Sequence, residues 1–459
     1  MRWRANRVYW AKEALLPRMG ARDGLLVSES GNPELRCFHC WSGDVEVDVR
    51  SPLAQEAFHA MPLAEQVHFL RMWNPATPSW DGPVREGLAA TLQAAVTSQP
   101  VSFFEHADQF AELDPVYATA LARGLSEGLE GKTISNWKPF WAFASWVLTQ
   151  PDPEIGIRDE FSGETGLGRR WQNCRLEIAR LLDAALNGEL APLPLAERAC
   201  VWHLIDVLTR DPNPAPVDEV SEDERVMDPF AMSLNTVRGM AVHAVFSFVF
   251  WIRSHAPRSD QGARNLDDVP EARAALEALL DPQLETSLTI RSVFGANLTR
   301  LTYWAEAWLS DHLEQIFPEQ GLNEQCEIAW QTFIRFSRVD AKTLALLRQQ
   351  YSAAIATMSQ DAVAGPRHLD SRVNLGQNLV MSYCRGVFDF QHPGNLLAAF
   401  FTRAPEAARG KVMAFVGRAL AQPNGPLPIE MFARLLKLWN WLVQSETPSG
   451  GPGFQDKAA

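Results

Sequence analysis

Apolar residues recur at three- and four-residue steps along most of the chain, and this spacing predicts helices. The strongest pattern lies at 228–254, where Asp228 and Pro229 form a helix-start signal. Apolar positions cover most of this segment's surface, so we expect other helices to wrap it. Because Arg238 and His243 interrupt it, the segment is too short to cross a bilayer, which takes roughly 20 apolar residues. The pattern predicts a buried central helix.

Helices joined by short turns are predicted for most of the remaining chain. The predicted segments are 84–97, 101–111, 115–129, 137–149, 169–187, 195–209, 270–280, 284–295, 298–309, 323–336, 340–358, 368–387, 393–402, 405–421 and 428–444. Short connections make neighbouring helices antiparallel, as in αα-hairpins. The predicted fold is therefore all-α, an irregular α-solenoid of HEAT-like or TPR-like helix pairs without a fixed repeat length.

Composition shifts divide the chain into five regions. Region 1–50 is predicted to hold a helix and a short extended segment, in which Val45, Val47 and Val49 alternate with acidic residues. A helical array follows at 51–210, and the proline-rich acidic run at 211–227 predicts a linker. A second array is predicted at 228–445 around the central helix, and a disordered tail at 446–459.

The charge and the cysteines narrow the class of protein. A formal net charge of −13 argues against a nucleic-acid surface, because phosphate binding needs clustered Lys and Arg. No segment has the pattern of a signal peptide or a membrane span, so no membrane partner is expected. Six scattered Cys without a secretion signal predict reduced thiols in a cytoplasmic protein.

Four residues of the central helix are the candidate structural or interaction residues: Asn235, Arg238, Gly239 and His243. Glycine inside a helix costs about 1 kcal/mol relative to alanine, so Gly239 predicts a close approach of another segment. Asn235 and Arg238 are three residues apart and are expected to share a face and to hydrogen-bond a neighbouring helix end or loop, with ligand binding as the alternative. For His243 a hydrogen-bonded core position is favoured over a ligand or a base.

Two short motifs come close to known sites. Lys132, in the run 131–133, resembles the end of a phosphate-binding loop, but Ser126 stands where that loop needs glycine, so a helix-ending glycine turn is favoured. Cys37 and Cys40 form a CxxC without a second pair of ligands nearby. We therefore predict no catalytic residue, no cofactor and no metal.

Several packing segments carry a resemblance to a known group of proteins. The segments 80–96, 233–251, 290–318 and 400–420 resemble the C-terminal helical-repeat region of large bacterial ATP-binding proteins, similar to the STAND-type (Avs-like) antiviral NTPases. The resemblance extends over 51–443. It implies a helical array that senses a phage protein, while the NTPase and effector domains of that group have no counterpart in this sequence.

The leading hypothesis is a non-catalytic helical-repeat module that recognises a protein, as a sensor or scaffold in bacterial antiphage defence. Its partner would be an NTPase or effector subunit, or a phage protein. One alternative is an enzyme whose site lies in a helical cleft near Arg238 and His243. A structural subunit of a larger complex is the other alternative.

Overall fold

The structure is a computed structural model that describes residues 50–75, 82–152, 170–219, 228–255, 266–318, 323–358, 371–390, 395–421 and 428–446. Every regular element within these ranges is a helix, and none is a strand. This confirms the all-α prediction for the described residues. The segment 1–49, with its predicted helix, extended stretch and Cys37–Cys40 motif, lies outside them, as does 447–459.

Contacts within the chain divide it into two compact units, Met1–Cys200 and Val201–Ala459. The first unit holds α1 (Gln55–His59), α2 (Leu63–Met72), α3 (Arg85–Ser98), α4 (Pro100–Phe104), α5 (Pro115–Gly128), α6 (Lys138–Leu148), α7 (Trp171–Leu186) and the 3-10 turns Ala107–Phe110 and Leu195–Glu197. Helix α8 (Arg198–Leu208) begins just before the division. The five-region division made from composition stays a prediction.

The helices of the second unit vary widely in length. They are α9 (Pro216–Glu219), α10 (Pro229–Ser233), α11 (Val237–His255), α12 (Pro270–Leu280), α13 (Leu288–Trp304), α14 (Glu306–Ile316), α15 (Glu324–Phe336), α16 (Ala341–Leu346), α17 (Arg348–Ala356), α18 (Ser371–Cys384), α19 (Leu396–Arg403), α20 (Glu406–Ala421) and α21 (Ile429–Glu446).

In the first unit, helices that are two apart in the chain pack on one another. Helix α3 contacts α1 and α5, and α5 contacts α7. Both helices carry fully buried leucine and valine side chains, Leu92 and Val96 on α3 and Leu121 and Leu125 on α5. Gly124 permits this contact, because a Cβ at that position would lie 2.8 Å from the Gln93 carbonyl oxygen. The alternate helices thus form a continuous row.

A similar row forms in the second unit, although one of its contacts joins helices three apart in the chain, α15 and α18. Helix α13 contacts α11 and α15, α15 contacts α18, and α18 contacts α20. Gly295 of α13 lies directly against the backbone of Ala329 in α15, where a Cβ would overlap the carbonyl oxygen. Close backbone approach at this glycine fixes the separation of the two helices.

The central helix is divided, which corrects the prediction of one continuous helix. Its start is confirmed, since the Asp228 side chain accepts hydrogen bonds from the backbone N–H groups of Phe230 (3.1 Å) and Ala231 (3.2 Å). Helix α10 then ends at Ser233, a turn follows, and α11 begins at Val237. Nearly all of α11 is buried, as its all-round apolar pattern predicts.

Other boundaries also differ from the predicted ones, two of them in the second unit. The predicted break near residues 296–297 is absent, because α13 runs unbroken to Trp304 after Ser287 caps its start by accepting from the Ile290 N–H at 3.1 Å. The single helix predicted for 340–358 is instead the pair α16 and α17. Apolar spacing locates helical segments well but does not mark where one helix gives way to the next.

Candidate functional site

The four candidate residues lie around the junction between α10 and α11. Asn235 is exposed in the turn, and its side-chain amide donates to the Ala231 carbonyl at 2.8 Å, which closes the end of α10. Arg238 lies on the first turn of α11. The prediction that the two share a helix face is therefore wrong, because Asn235 precedes the helix.

Gly239 marks the close approach that its position inside a helix predicts. A Cβ there would come within 2.5 Å of the Ser233 carbonyl oxygen and 2.6 Å of Thr236 Oγ1. The segment that approaches is the end of α10, immediately upstream in the chain. Glycine therefore lets the chain reverse tightly between the two helices.

His243 is buried, with 1% of its surface exposed, and bonds across the junction to the other helix. Its Nε2 lies 2.9 Å from the hydroxyl of Ser233, which is itself fully buried. The Phe230 ring meets the imidazole edge-to-face at a centroid distance of 5.9 Å. This hydrogen bond joins α10 to α11 inside the core.

A serine beside a histidine is also the arrangement of a nucleophile and its base. Here the Ser233 hydroxyl lies 2.7 Å from the Phe230 carbonyl, to which it donates. A hydroxyl has one proton, so toward His243 it accepts, and Nε2 of the imidazole carries the donated proton. With its proton directed to a backbone carbonyl, Ser233 is not activated by His243. The pair supports a structural bond between the helices.

Arg238 faces a buried polar network at the start of α13. Its guanidinium lies 3.6 Å from Glu285, whose carboxylate accepts from the Ser287 N–H at 2.9 Å. Gln325 of α15 bonds the Glu285 carbonyl and accepts from Arg291. Burial lowers the pKa of the Arg291 guanidinium, and the nearby Glu285 carboxylate opposes that shift. These contacts connect α11, α13 and α15.

The predicted linker, 211–227, contributes two residues that cap α11 and α13. Asn213 receives two backbone hydrogen bonds from the start of α11, from Val237 to its side-chain oxygen (2.9 Å) and from Arg238 to its carbonyl (2.8 Å). Glu219 accepts from the Ser287 hydroxyl and from the Leu288 N–H at 3.0 Å, at the start of α13. Its negative charge also complements the positive end of that helix dipole. Sequence reasoning missed both, since their partners lie far along the chain.

A small open cleft of about 20 Å³ lies beside this junction. Phe230 and Phe336 form an aromatic contact there at a centroid distance of 4.4 Å, and the Arg335 guanidinium lies 4.6 Å above the Phe336 ring. Arg335 also pairs with Asp228 at 3.1 Å. The other lining side chains are Pro229, Ile328, Gln331, Thr332 and Asn374. The cleft thus combines an aromatic contact with an ion pair and side-chain amides.

The near-miss phosphate motif lies elsewhere, in the turn after α5. Gly131 adopts a φ of 68°, the left-handed conformation of a helix-ending turn, and Lys132 is exposed beside it. This geometry agrees with the glycine-turn interpretation of the motif. It does not provide the strand-to-helix loop that cradles phosphates in that class of protein.

The described residues contain neither a cluster of metal ligands nor a membrane-spanning helix. No group of three or more His, Cys, Asp and Glu there could hold a metal ion. Among the helices in those ranges, none is both long enough and apolar enough to traverse a membrane.

Comparison with known proteins gave no relative. No family model matches the chain, and neither the curated proteins nor the solved structures contain a match to it.

Proposed function

We propose that this chain is a non-catalytic helical array that recognises a protein partner. The packing that supports this is a row of helices in each unit, α3 on α5 on α7 in one and α11 on α13 on α15 on α18 in the other. Such rows are characteristic of α-solenoids, in which each helix pair contacts its neighbours and leaves an extended surface for binding. An irregular α-solenoid is therefore the architecture we propose for each unit.

The observation that carries the proposal is the cleft beside α10. Its walls come from three helices, with Phe230 on α10, Arg335 and Phe336 on α15, and Asn374 on α18. Aromatic side chains and arginine are the residue types enriched where proteins bind one another. We assign this cleft as the recognition surface for a segment of a partner protein.

The biological setting rests on the resemblance to the helical-repeat region of STAND-type antiviral NTPases. On that basis we propose a cytoplasmic sensor or scaffold in bacterial antiphage defence. The partner would be a phage protein or a separate NTPase or effector subunit.

The test compares two arginine variants of the full chain as bait in phage-infected and uninfected cells. Arg335→Ala removes the cation of the cleft, whereas the control Arg210→Ala removes an exposed arginine that pairs with Asp206 at 2.6 Å, just after the end of α8. Captured proteins are quantified by mass spectrometry, and the affinity of each purified candidate is measured by calorimetry. Melting curves verify that both variants fold.

We expect one protein to bind the wild type and Arg210→Ala equally, and to bind Arg335→Ala at least about tenfold more weakly. Capture only from infected cells identifies a phage partner, and capture from both identifies a host subunit. A partner bound equally by both variants would contradict the assignment of the cleft. Absence of any specific partner under both conditions would contradict the recognition role.

A further inference from the structure

The last described helix, α21, has one face packed against its own unit. Leu438 and Leu442 are buried there, the helix contacts α18, and Trp441 packs against Phe390 at a centroid distance of 5.0 Å. Arg434 anchors the same side by donating to the carbonyls of Tyr383 (3.4 Å) and Phe388 (3.2 Å). These contacts fix the orientation of the helix.

A second face of α21 carries a stripe of large apolar side chains that are open to solvent. The exposed fractions are 87% for Ile429, 54% for Phe432, 51% for Leu436, 38% for Trp439 and 50% for Val443. Steps of three and four residues place all five on one side of the helix. We call them the α21 stripe.

The α21 stripe is too large to be an ordinary scatter of surface apolar residues. Five such side chains, two of them aromatic, expose an area on the order of 500 Å², comparable with the largest apolar patches of about 300–600 Å² on monomeric proteins. The largest apolar patch on a monomeric protein is often a functional surface.

We propose that the α21 stripe binds a second copy of this chain, in an antiparallel helix pair whose two-fold axis passes at Leu436. The order of side chains along the stripe supports this occupant. Leu436 is central, an aromatic residue lies on each side of it (Phe432 and Trp439), and a β-branched residue lies at each end (Ile429 and Val443). A two-fold axis at the centre therefore pairs aromatic with aromatic and β-branched with β-branched, as an isologous interface requires.

The residues beside the stripe, on the side of α21 away from its packed face, also suit contact with a second copy. Ala433 and Asn440, the nearest exposed residues on that side, carry no charge. The charged Glu430 and Lys437 lie further round the helix, at 100° per residue, and stay at the rim. No charge on that flank has to be desolvated when the two helices meet, which removes the largest cost of an apolar contact.

The first experiment measures the mass of the full chain by sedimentation and light scattering over a concentration series. We expect twice the chain mass of 51.2 kDa at high concentration. Leu436→Glu should raise the dimer dissociation constant at least about a hundredfold, because it places two carboxylates at the two-fold axis. The matched control is Leu284→Glu, the same change at an isolated side chain that is 73% exposed in the same unit, and it should change the constant less than about twofold.

The second experiment tests the direction of the pair by oxidative cross-linking of single-cysteine additions. Leu436→Cys should form a covalent dimer, since residue 436 meets its own copy at the axis and a disulfide requires Cβ atoms about 3.5–4.5 Å apart. Ile429→Cys should not form a covalent dimer, because residue 429 contacts Val443 of the other copy and not residue 429. The wild-type chain, which keeps its own cysteines, is the negative control for cross-linking.

Three results would overturn the proposal. One is a single-chain mass at every concentration, which is also the outcome expected if residues 1–49 or another protein cover the stripe. Another is an equal loss of dimer in Leu284→Glu. The third is cross-linking by Ile429→Cys, which would require parallel helices.

Discussion

Asn213 and Val237 are joined by a 2.9 Å hydrogen bond from the Val237 N–H to the Asn213 side-chain oxygen, across 24 residues of sequence. The bond satisfies a backbone donor at the start of α11 that has no partner within the helix. The Asn213 carbonyl accepts from the next N–H, that of Arg238, at 2.8 Å. A residue of the proline-rich run thus does for α11 what an N-cap residue does for an ordinary helix.

Removing this cap should destabilise the protein without changing its surface. We expect Asn213→Ala to lower the free energy of unfolding by about 0.5–2 kcal/mol, the usual cost of losing a cap. Asn213→Asp keeps an acceptor oxygen and adds a charge that favours the helix start, so it should retain most of the stability. Urea unfolding of the three proteins measures both effects, and equal destabilisation by the two substitutions would show that the cap is not the cause.

The division of the central helix shows what sequence can and cannot specify. The start at Asp228 was predictable, since a capping side chain and a proline act on the next few residues. The break before Val237 was not, because apolar spacing continues across it and its stabilising partner, Asn213, comes from the run predicted as a linker. Local signals locate helix starts, whereas tertiary contacts decided this break.

The candidate site, like the central helix, could be predicted from the sequence only in part. A close approach at Gly239 could be inferred from glycine in a helix, and a buried His243 from its apolar surroundings. The cleft could not be inferred, because Phe230 and Phe336 come from segments about a hundred residues apart, and no periodicity relates them. The exposure of the α21 stripe was equally hidden, since an amphipathic pattern does not show whether a face is covered.

The bond between Ser233 and His243 can be tested by removing its acceptor. We expect Ser233→Ala to lower the free energy of unfolding by about 1–3 kcal/mol, because the buried imidazole N–H loses its partner. The control is Ser310→Ala, an exposed helix serine that donates to the Glu306 carbonyl at 2.8 Å, and this change should alter the stability by less than about 0.5 kcal/mol. Nitrogen NMR should show the proton on Nε2 of His243 in the wild type. A proton found only on Nδ1 would mean that Ser233 donates to His243 instead.

The thiols should differ in reactivity according to their burial. Burial raises the pKa of Cys326 and of Cys384 to about 11, and the nearby arginines, Arg291 for the first and Arg385 for the second, only partly offset this. At pH 8 roughly one in a thousand of these groups is then the reactive thiolate. The pKa of Cys200 is also raised, mainly by burial and to a smaller extent by the negative charge of Glu197. The Cys200 side chain is nevertheless exposed.

We therefore expect iodoacetamide to modify Cys200 at least about tenfold faster than Cys326 or Cys384 in the folded protein. Because a raised pKa leaves fewer thiolates at a given pH, the rates of the two buried thiols should rise about tenfold per pH unit from 8 to 10. Peptide mass mapping follows each site, and unfolding in urea should bring the three rates together. Equal rates in the folded state would show that Cys326 and Cys384 are not protected.

The row of helices depends on close contacts between backbones. Two glycines in helix interiors, one at such a contact and one away from any, allow the effect of the contact to be measured apart from helix propensity. Gly295 lies where a Cβ would overlap the Ala329 carbonyl, whereas nothing lies within 4 Å of a Cβ built on Gly417 in α20. Gly417→Ala should therefore raise the free energy of unfolding by about 0.4–1 kcal/mol, since alanine restricts the unfolded chain and favours the helix. Gly295→Ala makes the same change in propensity but must force α13 and α15 apart, which typically costs about 1–3 kcal/mol and should leave a net loss of stability. Denaturant unfolding of the two variants beside the wild type gives both values, and a stabilised Gly295→Ala would mean that α13 and α15 are not held at the separation the structure gives them.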